Sequence, residues 1–130
     1  MNAQATLFSN ITKSKRLPLY DSSGTTEPKR VAQFLSFSNA DVAKISATAV
    51  SSVRFEANRV PEKIRSRMME IANICELVAE HFDGDAERTV MWFREKNPML
   101  GGLSPRDMLR FGRYQKLLQI IMDFKSGNIA

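Results

Sequence analysis

The chain predicts an all-α fold, and three features of the sequence carry that expectation. From Pro28 onward, apolar residues recur at three- and four-residue spacing, the period of one helix face. No stretch shows the strict apolar–polar alternation of a half-buried strand. Proline, serine, threonine, asparagine or aspartate stands near the head of most periodic stretches, where a helix needs a cap or a pre-set first turn. At 130 residues and 43% apolar composition, the chain suits one compact domain or two very small helical units.

Residues 1–27 lack sustained periodicity and read as a flexible N-terminal arm, with Leu17, Leu19 and Tyr20 able to tack onto the body. Pro28 opens the first helix, "PKRVAQFLS", which places Val31, Phe34 and Leu35 on one face. Ser38 or Asn39 caps "NADVAKIS", with Val42, Ala43 and Ile45 inward. Thr48 is expected to cap a third short helix, "AVSSVRFE", carrying Val50, Val53 and Phe55. Pro61 starts the longest one, through Phe82, with Ile64, Met68, Ile71, Cys75 and Val78 as its stripe and Ile74, Leu77 and Phe82 widening it. "FDGD" ends that helix, and Asp83 or Asp85 caps "AERTVMWFREK", which turns Val90, Trp92 and Phe93 toward the core. Ser104 caps and Pro105 begins "PRDMLRF". After a break at Gly112, "RYQKLLQIIMDF" directs Tyr114, Leu117, Leu118, Ile121 and Phe124 inward. The chain thus divides into the arm, a helix-turn-helix-like region over 28–60 and a helical domain over 61–130.

Composition narrows the function classes. Cys75 is the single cysteine, so no intrachain disulfide forms, and its apolar neighbours mark it as a buried thiol. No apolar run approaches the ~18 residues of a membrane span, and the first residues lack the order of a signal peptide, so the expectation is a cytoplasmic protein. The net charge is +5, and residues 28–60 hold five basic against two acidic side chains, whereas 61–130 are nearly balanced. That local surplus is compatible with a polyanion partner.

Catalytic chemistry is not legible. His81, the single histidine, ends the long helix with no Ser or Cys nucleophile assigned to it. The acidic pair of "FDGD" is too small a set of oxygen ligands for a metal and reads as a turn and cap. "SSGTT" at 22–26 lacks the lysine and preceding strand of a phosphate loop. Methionines 68, 69, 91, 99, 108 and 122 read as core filler or interface. The expectation is a non-enzyme without cofactor or metal.

Two stretches offer binding chemistry instead. In "DVAKISATAVSSVRFE", residues 41–56, Ala43 suits a helix crossing and Val53 an apolar anchor, a partial resemblance to Xre-type helix-turn-helix repressor domains. Ala47 stands where glycine is usual in the turn, and Thr48 where an aliphatic is. The outward side chains that could reach phosphates or bases are Thr48, Ser51, Ser52 and Arg54, with Lys44 and Arg59 in support.

The second stretch is "WFREKNPMLGGLSPRDMLRFG", residues 92–112. Pro98 stops the preceding helix, Gly101 and Gly102 allow positive φ and close backbone approach, and Ser104-Pro105 relaunches a helix. Leu100 and Leu103 can pin this link to the core. Trp92, Pro98, Leu100, Gly101, Gly102, Ser104 and Pro105, followed by "GRYQKLLQII", resemble the C-terminal toxin-binding domain of Xre/MbcA/ParS antitoxins over residues 68–125. The resemblance implies an antitoxin that binds and neutralises a RES-domain toxin acting on NAD by blocking its cleft. It further implies a homodimer in a hetero-oligomeric complex that binds operator DNA.

On that reading the toxin-binding residues are Leu100, Gly101, Gly102, Leu103, Ser104, Pro105 and Arg106, with Lys125, Asn128 and Ala130 in a tail that could enter the toxin's cleft. The Ala130 carboxylate would then stand in for a phosphate. A stand-alone helix-turn-helix transcriptional regulator is the second reading. It requires specific DNA binding without a toxin.

Overall fold

A computed structural model describes residues 17–56 and 58–127. Among these it contains six α-helices and no strand: α1 (Pro28–Phe34), α2 (Asn39–Ser46), α3 (Glu62–His81), α4 (Ala86–Arg94), α5 (Pro105–Arg110) and α6 (Tyr114–Lys125). Single 3-10 turns lie at Val50–Ser52 and Pro98–Leu100. The all-α expectation therefore holds. No helix among the described residues is long and apolar enough to cross a membrane.

The 20-residue α3 is the axis of the fold, about 30 Å long at 1.5 Å per residue. Its stripe of Ile64, Met68, Ile71, Cys75 and Val78 is buried, as are Ile74 and Leu77. Apolar residues on both sides of the stripe let it serve several partners, and α1, α2, α4 and α6 all pack against it. The short α5 instead joins α2, α4 and α6. One hydrophobic core runs through these elements, from Leu17 and Val31 to Leu117 and Ile121. Burial drives the Cys75 thiol pKa upward, which suits an inert core residue.

Polar side chains fix the α1–α2 corner against α5. Arg106 donates through Nε to the Leu35 carbonyl at 2.5 Å and through Nη2 to the Ser36 carbonyl at 2.6 Å. Arg110 Nε reaches Asp41 Oδ1 at 3.1 Å, and Arg94 donates to Ser36 Oγ at 2.7 Å. Burial pushes the Asp41 carboxyl pKa upward, but the Ser38 and Arg110 hydrogen bonds together outweigh it and hold the pKa below its ordinary value.

Several expectations are corrected. Residues 17–27 are not a flexible arm throughout: Leu17, Leu19 and Tyr20 tack onto the body as expected, with Leu17 and Leu19 buried and Tyr20 donating to Glu76 Oε2 at 2.5 Å. "DSSGT" is an aspartate-nucleated turn, in which Asp21 Oδ1 accepts from the backbone N–H groups of Ser23 and Thr25 at 2.9 and 3.0 Å.

The helix expected over 49–56 is absent. Ala47 ends α2 in the left-handed conformation, φ 55°, and after one 3-10 turn the chain is extended at Val53. Val50 is exposed, and the buried Thr48 hydroxyl has no hydrogen-bond partner among the described residues and caps no helix.

In α4 Phe93 is buried and Trp92 packs half-buried against the core, as expected; Thr89 is buried as well, and Val90 is half-buried outside that cluster. In α6, Leu117 and Ile121 are buried but Phe124 is 55% exposed.

Candidate functional site

The Asn97–Leu103 connection is sealed by its own backbone. The Asn97 N–H donates to the Leu103 carbonyl at 2.9 Å, and the Asn97 carbonyl accepts from Leu100 at 2.9 Å and Gly102 at 3.2 Å. Asn97 Oδ1 accepts from the Met99 N–H at 2.9 Å, so Asn97 closes both ends of the loop. Pro98 heads the 3-10 turn, and buried Leu100 pins it to the core. Gly101 and Gly102 lie at φ 68° and 84°, a region costly for residues with a Cβ.

Close approach of another backbone is not their reason among the described residues, where a Cβ on either glycine would meet no atom within 4 Å. The two glycines therefore present bare backbone to solvent. Ser104 then launches α5 with a reciprocal cap: its Oγ accepts from the Asp107 N–H at 3.0 Å, and Asp107 Oδ2 accepts from the Ser104 N–H at 3.4 Å.

Beside this corner an apolar cavity of about 140 Å³ opens between the C-terminal half of α3, α4, the Pro98–Leu100 turn and α6. Leu77, Val78, Phe82, Trp92, Leu117 and Ile121 contribute to its walls; His81, Asn97 and Lys125 are its polar lining residues. Met99 and Phe124, 52% and 55% exposed, also line it. His81 meets Phe82 and Phe124 edge-on, with ring centroids 5.1 and 6.0 Å apart. Lys125 Nζ lies 3.5 Å from Glu80 Oε2.

The residues expected to bind a partner thus fall into distinct environments. Gly101 and Gly102 are exposed on the corner, and Leu100 and Lys125 line the cavity. Leu103 is half-buried, and Ser104 and Pro105 are buried in the α5 cap. Arg106 is engaged inward with Leu35 and Ser36, where it anchors α5. Asn128 and Ala130 lie outside the described residues.

Sequence reading did not single out Met99, Phe124 and His81 as one surface. The available signal was the α6 stripe Leu117–Ile121–Phe124, whose last member is exposed.

Of the residues expected at DNA, Ser51, Ser52, Arg54 and Arg59 come together with Pro61 around an open depression. Lys44 stands apart, its Nζ 5.2 Å from the Phe111 ring centroid, and Thr48 is directed inward. This surface is a turn and an extended segment, so it offers charge to phosphates without a helix to enter a groove. Among the described residues no group of three or more His, Cys, Asp and Glu could hold a metal ion.

Compared with known proteins, the chain matches no family model and no curated protein. The site's geometry and the resemblance carried by residues 92–112 therefore bear the functional argument.

Proposed function

We propose that this chain is an interaction protein of the antitoxin class, which binds a RES-domain toxin and blocks its NAD cleft without turning over substrate itself. The observation that carries the reading is the junction of the glycine-faced corner with the apolar cavity. Here a rigid, internally hydrogen-bonded loop displays Met99 beside an opening flanked by Phe124. Exposed apolar side chains around a concave, preformed surface are the features of a partner site. The partner side of the corner is Leu100 to Leu103 with Lys125, whereas Ser104, Pro105 and Arg106 hold its shape.

The test is co-purification with a tagged RES-type toxin, together with rescue of growth on co-expression. Stable capture and rescue support the proposal; toxicity unrelieved by the chain contradicts it.

Operator binding is proposed as an accessory property of the Ser51–Arg59 depression. Such binding would rest on phosphate contacts and fall steeply with salt. Arg54→Ala should weaken promoter binding while sparing neutralisation, and binding unchanged in an Arg54→Ala, Arg59→Ala double variant would contradict a role for this depression.

A further inference from the structure

We propose that the cavity beside the Asn97–Leu103 corner is an anchor pocket for one apolar side chain of the partner, flanked by a carboxylate of the same segment. The inference rests on the partner-binding reading above and specifies what the toxin must present. A benzene-sized group occupies roughly 150 Å³ in an apolar cavity, and this cavity, open to solvent on one side, offers about 140 Å³ lined largely by leucine, isoleucine, phenylalanine and tryptophan. A phenylalanine or leucine side chain fits this volume and would cover apolar walls that are otherwise open.

The polar lining selects the flanking charge. Asn97 Oδ1 is occupied by the Met99 N–H, which leaves the amide NH2 to offer. Lys125 has three N–H donors, with Glu80 at 3.5 Å on one side. His81 supplies a further nitrogen-bearing ring, and among the described residues no carboxylate lines the cavity. Donors and a cation around an apolar floor complement an acceptor anion, so the anchor is followed by aspartate or glutamate rather than lysine or arginine.

Trp92 is the single tryptophan and lines the cavity, so its fluorescence reports occupancy directly. The experiment titrates the full chain with phenylacetate and, in parallel, with phenethylamine, which carries the same ring and the opposite charge. A saturable change with phenylacetate, at an affinity about tenfold above that for phenethylamine, is expected from one charge-assisted hydrogen bond. No saturable response, or equal affinity for both probes, overturns the proposal.

Lys125→Ala should remove most of that tenfold preference, and an undiminished preference also overturns it. Ile120→Phe, at a half-buried lining position, narrows the cavity and should weaken phenylacetate at least tenfold; unchanged affinity would put the probe elsewhere. Should this variant fail to fold, the charge preference and its loss in Lys125→Ala still decide.

The toxin arm separates the two levels of the argument. Toxin affinity lowered by Ile120→Phe and competed by phenylacetate supports the anchor, whereas equal binding to both forms overturns it. A toxin that binds neither form overturns the functional reading, while the probe titration still decides the pocket. Self-association disrupted by phenylacetate and by Ile120→Phe would seat a second copy there and overturn the assignment to the toxin.

Discussion

Two corners in this protein turn through left-handed residues, one at the end of α2 and one after the Pro98–Leu100 turn, and then diverge. After Ala47 the chain reads Thr48-Ala49-Val50-Ser51 and makes only one 3-10 turn; after Gly101-Gly102 it reads Leu103-Ser104-Pro105-Arg106-Asp107 and starts a helix. The difference lies in the reciprocal cap. Ser104 has an aspartate three positions on to return its hydrogen bond, and Pro105 pre-sets φ; Thr48 has Ser51 there and no proline. Apolar periodicity alone did not make a helix of residues 49–56, whereas Ser38 with Asp41 builds α2 by the same box that builds α5.

The largest effect that sharpens the contrast concerns how firmly each corner is founded. Phe93, fully buried on the helix that leads into the second corner, should cost about 3–5 kcal/mol on truncation to alanine. Val50→Ala, at an exposed position of the first corner, should change stability by less than about 0.5 kcal/mol. Urea unfolding of both variants checks this, and similar losses would break the contrast. Trp92→Ala should fall below Phe93→Ala, since the indole is only half-buried and borders the cavity.

The caps themselves come next. Ser104→Ala should destabilise by about 1 kcal/mol through the lost N-cap. Thr48→Ala should be neutral or stabilising, because it removes a buried hydroxyl that has no partner among the described residues. A Thr48→Ala loss equal to that of Ser104→Ala would show that the first corner is capped after all.

Mirror substitutions probe the left-handed residues. Gly101→Ala should cost about 1 kcal/mol from its positive φ alone, as no atom obstructs the new methyl group. Ala47→Gly should relieve strain of a similar size, offset in part by the greater entropy of the unfolded chain. Thermal melts that move in the same direction for both variants would contradict this account.

The smallest effect is a pH dependence of the clasp between α2 and α5. With its pKa lowered in the folded state, Asp41 contributes stability that is fully present above the ordinary carboxylate range and is lost as pH falls through its native value. The stability gap between wild type and Asp41→Asn should therefore shrink in acid. A gap that stays constant from neutral pH to below the carboxylate range would mean the Arg110 pairing is not linked to protonation.

These contrasts also show what the sequence discloses. The long α3, its buried stripe and the Ser104-Pro105 relaunch are legible because spacing and caps agree over many residues. The absent helix at 49–56 is illegible from periodicity because the missing element is a cap partner rather than an apolar residue. The fates of Arg106 and Phe124 depend on which elements meet across some 70 positions of chain and on where burial along α6 ends. A motif such as "NPMLGGLSP" marks the corner, but only the fold shows which of its residues face outward.

We propose that the corner and its cavity form the surface that silences a toxin. The direct measurement is NAD consumption by the RES-type toxin alone, with this chain, and with a folded Met99→Glu, Phe124→Glu variant. Both positions are exposed, so the variant should keep its helical circular dichroism. Wild type should suppress consumption, and the variant, whose two carboxylates would oppose the anionic segment proposed for the partner, should lose suppression at least tenfold. Full suppression by the folded variant, or none by wild type, would contradict it.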